Sequence, residues 1–80
     1  MNLMELRMIV AEILEIEPEL LDSTTELATV DTYDSMHKLM LMLDLDEQVG
    51  IKLTPETIRT IRYYGDIEQI AQQQGIKLAA

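Results

Sequence analysis

Between Met36 and Val49 the chain is apolar on two opposite sides of one helix, and this limits what it can fold into more than any other feature. At about 100° per residue, Leu41, Met42, Leu45 and Val49 share one face while Met36, Met40 and Leu43 share the other. Such a helix needs two different covers. The first face is expected on the chain's own core; the second is left for another protein, for an attached chain or for the neighbouring loop. A polar turn from Val30 to Asp34 runs straight into this helix, and Ser35 stands at the junction. Its hydroxyl there can cap the helix, or, beside a carboxylate and near unpaired amides, can carry a phosphate ester.

The other segments are helical by the same periodicity. From Met1 to Ile16, Leu3, Leu6, Ile9, Val10, Ile13 and Leu14 recur at intervals of three and four, which predicts an amphipathic helix ended by Pro18. Glu19-Leu20-Leu21 fits a short turn that tucks two leucines against the core. Asp22 to Glu26 is a cluster of turn formers. It reads as a polar loop, although Ser23 and Glu26 have the spacing of a capping box that would start one helical turn near Thr24 to Ala28. The central helix should start at Ser35 or just after and end near Gly50. Thr54 is then an N-cap and Pro55 the first residue of a short helix through Ile61, with Leu53, Ile58 and Ile61 inward. A last helix from about Asp66 to Gln74 buries Ile67, Ile70 and Ala71 and stops at Gly75. Strand signals are weak. The expected fold is an all-α four-helix bundle, three long helices plus one short, in a single domain over 1–80 that is ordered from about 3 to 75, with Ala79 and Ala80 frayed.

Composition removes whole classes of function. A chain of 80 residues buries only about 60% of the surface its unfolded form exposes. Its 15 acidic and 6 basic side chains give a net charge of −9, a field that repels nucleic acid and anionic lipid and attracts basic protein surfaces. With no Cys there is neither a disulfide framework nor a thiolate metal site, which fits a reducing, cytoplasmic setting. The longest apolar run, Leu39 to Leu43, is far short of the roughly 20 residues that cross a bilayer, and no signal-peptide layout is present. A soluble, unexported protein is expected.

Asp34-Ser35-Met36 resembles the Asp-Ser-Leu motif of acyl and peptidyl carrier proteins, and the likeness extends downstream. Leu41, Leu45, Val49, Gly50 and Ile51 fall at that family's second-helix core positions and their close, and Tyr64-Gly65-Asp66-Ile67 is similar to the opening of its last helix. The resemblance covers about Leu3 to Gly75, with Ser35 as its most specific point. It implies the carrier-type four-helix topology and a Ser35 that receives 4'-phosphopantetheine from coenzyme A. It also implies a free-standing, monomeric, non-enzymatic protein that holds acyl groups as thioesters for fatty acid, polyketide or related specialised biosynthesis. Asp34 would help orient the coenzyme A phosphates at the transferase, and Met36 would contact that enzyme or later partners. Implied partners are a phosphopantetheinyl transferase, an acyl- or aminoacyl-loading ligase and downstream enzymes with basic surfaces. Met36, His37, Lys38, Met40 and Leu43 would form the contact surface. Leu39, Met42, Ile58 and Ile61 would line a modest cavity between the second and third helices.

Departures from the fatty-acid-synthesis type narrow the choice. Thr32 occupies a usual glycine position, and His37, Lys38 and Met40 stand where acids or small polar residues are expected. Tyr33 resembles the aromatic-Asp-Ser pattern of dedicated carriers. The alternatives are an aminoacyl or peptidyl carrier, and an unmodified helical interaction module that uses Met36, Met40 and Leu43.

Other chemistry is poorly supplied. His37 is the one histidine and adjoins Ser35, but helical positions 35 and 37 do not face one another, so a serine hydrolase lacks its aligned base. Lys38 opposes the helix dipole, and is read either as a surface lysine beside Asp34 or as a partner for a phosphate. Asp44, Asp46 and Glu47 lack the spacing of a calcium loop and read as a solvated face.

Overall fold

A computed structural model describes residues 1–79 and contains four α-helices: α1 Leu3–Leu14, α2 Ser35–Val49, α3 Pro55–Thr60 and α4 Tyr64–Gln73. Single 3-10 turns at Pro18–Leu20 and Leu27–Thr29 break up the long first connection. Among the described residues extended pairing is limited to isolated bridges. The result is a small all-helical bundle.

One core joins every helix. Leu6, Val10 and Leu14 of α1, Leu41 and Leu45 of α2, and Ile67 of α4 are fully buried, with Ile51 between α2 and α3. Each such side chain contributes about 1.5–3 kcal/mol relative to exposure. Leu53 and Ile58 are buried as expected, while Ile61 only packs at the core's edge.

The helix boundaries follow their caps. Asn2 and Glu5 form a reciprocal capping box at the start of α1, so the helix begins at Leu3 rather than Met1. Its end comes at Glu15, which takes the left-handed conformation at φ 59°. α2 closes on Gly50 at φ 80°, with the Gly50 amide donating to Asp46 and the Ile51 amide to Leu45, an arrangement that a residue without a β-carbon adopts freely. Thr54 caps α3, and α3 ends at Thr60, one residue earlier than Ile61.

Asp22 to Glu26 form the polar loop expected, without the alternative Ser23–Glu26 capping box, and Asp22 anchors it by accepting from the Thr24 amide at 2.8 Å. Two further expectations are corrected. α4 starts two residues before Asp66, because Asp66 reaches back to the Arg62 and Tyr63 amides at 2.8 and 2.9 Å. Ala79 is not frayed: it pairs with Asn2, and its carbonyl accepts the Leu3 amide at 2.8 Å. Ala80 lies outside the described residues. No described helix is long and apolar enough to cross a membrane.

Candidate functional site

Asp34, not Ser35, is the N-cap of α2. Its Oδ1 accepts the His37 backbone N–H at 2.9 Å, and its carbonyl accepts the Lys38 amide at 2.9 Å. Ser35 becomes the first residue inside the helix, with an exposed side chain. Among the described residues nothing bonds its hydroxyl, and no protein acceptor takes the Ser35 or Met36 amides. The serine is therefore released from capping and stands beside two free amides at the positive end of a fifteen-residue helix.

The side chains around it divide by direction. Met36, Leu39 and Leu43 are 61, 51 and 61% exposed. Ser35, Leu39 and Leu43 follow at intervals of four, so one apolar row runs down α2 from the serine. Met40, expected on this surface, is half-buried and packs on the core. Leu39, expected to line a cavity between α2 and α3, points to solvent instead. Two clefts among the described residues lie elsewhere. One of about 270 Å³ is bounded by Ile16, Leu20, Thr25, Thr29, Val30 and Asp31, and one of about 130 Å³ by Met4, Arg7, Pro18 and Glu19.

His37, expected on the partner surface, is turned inward and is only 5% exposed. Its Nδ1 lies 2.7 Å from Asp34 Oδ1 and its Nε2 lies 2.8 Å from Glu15 Oε2. Ionised carboxylates only accept, and a neutral imidazole carries a single N–H; satisfying both contacts requires the doubly protonated ring. In keeping with this, the bonds to Glu15 and then to Asp34 raise the His37 pKa above its ordinary 6.5. The bonds from the His37 amide and ring hold the Asp34 carboxyl below its ordinary 3.8.

A second tie binds the same turn to α1. The Thr32 hydroxyl donates to the Leu14 carbonyl. Lys38 pairs with neither Asp34 nor a second acid; its ammonium sits 5.1 Å from the centroid of the half-buried Tyr33 ring, a cation–π contact. Further along α2, Asp46 pairs with Lys52 at 2.9 Å. No described cluster of acids or histidine has the form of a metal site.

No protein-family model and no curated protein matches this chain.

Of the candidate residues, the structure brings Asp34, Ser35 and Met36 together at the exposed mouth of α2, with Leu43 further down the same side and His37 beneath. Sequence reasoning missed Glu15. Asp34 and His37 are three apart, a spacing that a helix start makes into contact, but nothing local pairs positions 15 and 37. That pairing needs the left-handed turn at Glu15, which only the folded chain reveals.

Proposed function

We propose that this protein is a carrier of the acyl-carrier type, in which Ser35 bears 4'-phosphopantetheine. The observation that supports this best is the division of labour at the start of α2. Asp34 performs the capping that a serine there would ordinarily perform, and the Ser35 hydroxyl is left exposed and unbonded. The residues fit the group. The free Ser35 and Met36 amides suit a phosphate, and no side chain roofs the hydroxyl. The four-helix topology of carrier type belongs to this proposal too.

In the attachment step the Ser35 oxygen attacks the coenzyme A phosphate that bears the pantetheine arm. The new Oγ–P bond replaces the pyrophosphate P–O bond, adenosine 3',5'-bisphosphate leaves, and the serine proton passes to a base of the transferase. When bound, the arm supplies a thiol that holds an acyl group as a thioester, a chemistry the chain cannot provide without cysteine. The protein's own part is delivery. The row from Met36 through Leu39 to Leu43 gives each visiting enzyme an apolar strip, and the net charge of −9 steers basic surfaces toward it. Acyl groups are the favoured cargo, with aminoacyl groups the close variant. Neither of the two clefts described is lined by residues of α2 or α3, and the larger is bounded partly by Val30 and Asp31 of the turn before Ser35, so the cargo is expected at the surface and not in a chamber between α2 and α3.

Incubation with coenzyme A, magnesium and a broad-specificity phosphopantetheinyl transferase should add the mass of one phosphopantetheine. No gain with several transferases would overturn the proposal. It would favour an unmodified interaction module, for which the 61% exposure of Met36 and Leu43 is the supporting observation.

A further inference from the structure

We infer that His37 is the positioning residue of the loading site: as an imidazolium held between Asp34 and Glu15, it fixes the motif carboxylate next to Ser35 and lashes the start of α2 to the end of α1. The inference rests on Ser35 being the modified residue. It begins from an arrangement that helix capping alone does not require. Asp34 needs only the His37 amide to cap α2, yet the same Oδ1 also takes the ring Nδ1 at 2.7 Å. Two bonds from one residue to one oxygen leave the carboxylate no freedom to swing. The Asp34 side chain is nonetheless 58% exposed, so the carboxylate stays open to solvent next in sequence to the serine.

The other ring nitrogen explains a conformational oddity. Glu15 is the one non-glycine residue among those described with a positive φ, at 59°. A residue with a β-carbon resists that conformation by roughly 1–2 kcal/mol. A carboxylate at the negative end of α1 is also unfavourable on its own. The Glu15 carboxylate reaches the buried His37 Nε2 at 2.8 Å, which offsets both costs and places a negative charge where an imidazolium needs one. Glu15 comes from α1, Asp34 from the turn before α2, and the next cation on α2, Lys38, is held over Tyr33. The imidazole therefore faces two acids and no competing base. The Thr32 hydroxyl on the Leu14 carbonyl fastens the same turn one residue from Glu15.

In the transfer reaction His37 touches no reacting atom. It holds the acid beside the attacking oxygen while the Oγ–P bond forms and adenosine 3',5'-bisphosphate departs, the proton going to the transferase. Loss of the ring proton removes one of the two N–H donors, so the clamp opens as the pH rises through the folded-state pKa of His37.

Because the chain has a single histidine, its ring nitrogens can be read directly by long-range proton–nitrogen NMR of the unmodified protein. Below the midpoint both should resonate as imidazolium, and titration should shift the Asp34 and Ser35 amides with that same midpoint, above 6.5. A midpoint at or below 6.5, or Asp34 and Ser35 amides indifferent to the titration, would overturn the clamp. For loading, His37→Gln and Glu15→Gln should lower kcat about tenfold with KM for the carrier little changed, a loss of the size that misplaced reacting groups produce. Glu15→Gln, which alters an exposed carboxylate and keeps the histidine, should also move the alkaline limb of the loading profile to lower pH. Unchanged kcat and pH profile in both folded variants would refute the positioning role while leaving Ser35 as the site. Failure of the wild-type chain to load would refute the site itself.

Discussion

The starts of α2 and α4 are built from similar parts and end up opposite in character. Each uses an aspartate: Asp34 is the N-cap of α2, whereas at α4 the N-cap is Tyr63 and Asp66, three residues on, reaches back to the Arg62 and Tyr63 amides. At α4 the long loop closes over the helix: Tyr64 donates to the Thr25 carbonyl at 2.9 Å, Gly65 to Ser23 at 3.1 Å, and Leu27 to Arg62 at 2.9 Å. Tyr64 beneath is fully buried. At α2 nothing closes over. Ser35 and Met36 keep free amides, and the junction is fastened through His37 below the surface and through the Thr32 hydroxyl on the Leu14 carbonyl. The same loop thus seals one helix start and leaves the other open, which is how a small bundle can keep its stability away from the place where it presents a hydroxyl.

Breaking the sealed junction should cost the most. Tyr64→Ala empties a fully buried aromatic position and should destabilise the fold by about 3–5 kcal/mol, measured by urea unfolding. Next comes Gly65→Ala. A β-carbon at Gly65 would lie 2.6 Å from the Ser23 backbone oxygen, and because backbone cannot give way as a flexible side chain can, a loss of about 1–3 kcal/mol is expected. The folded fraction of that variant should still load at the wild-type rate, since the open junction is untouched. A matching loss of loading per folded molecule would show the two junctions to be coupled.

At the open junction the effects turn on pH. The His37 pKa is raised on folding, so its stabilising contribution is complete below the unfolded value near 6.5 and fades as the pH climbs through the folded value. The Asp34 pKa is lowered, so its contribution is complete above about 3.8 and is lost as the pH falls through its folded value. Both hold together between about pH 4 and 6.5. The difference in urea midpoint between wild type and His37→Gln should be greatest there and shrink toward alkaline pH; a difference flat with pH would contradict the ion-paired ring. Smallest of all is Ser35→Ala. With the cap supplied by Asp34, it should change stability by no more than about 0.5 kcal/mol while removing the loading site.

How far the sequence disclosed this follows from the range of the forces involved. Helix periodicity is local, so the four helices and the inward face of Leu41 and Leu45 were legible, as was the stop at Gly50, whereas α1 ends at the left-handed Glu15, ahead of the stop expected at Pro18. Helix ends were displaced where a side chain reaches back along the chain, as Asp66 does to Arg62. The burial of His37 was not legible, because its second acid lies on another helix 22 residues away. Leu39 is expected to line a cavity between the second and third helices, yet the turn of α2 places it at the surface in line with Ser35. Ser35 is exposed and leaves the capping to Asp34, a division that the sequence did not disclose.

The chain has two serines, one at each junction: Ser23, exposed in the loop that closes over the start of α4, and Ser35 at the open start of α2. Fragmentation mass spectrometry of the transferase-treated protein distinguishes them directly. The added phosphopantetheine should ride on every fragment that contains Ser35 and on none that contains Ser23 alone. Modification at Ser23, or an unmodified chain after complete treatment, would contradict the assignment of Ser35 as the carrier hydroxyl.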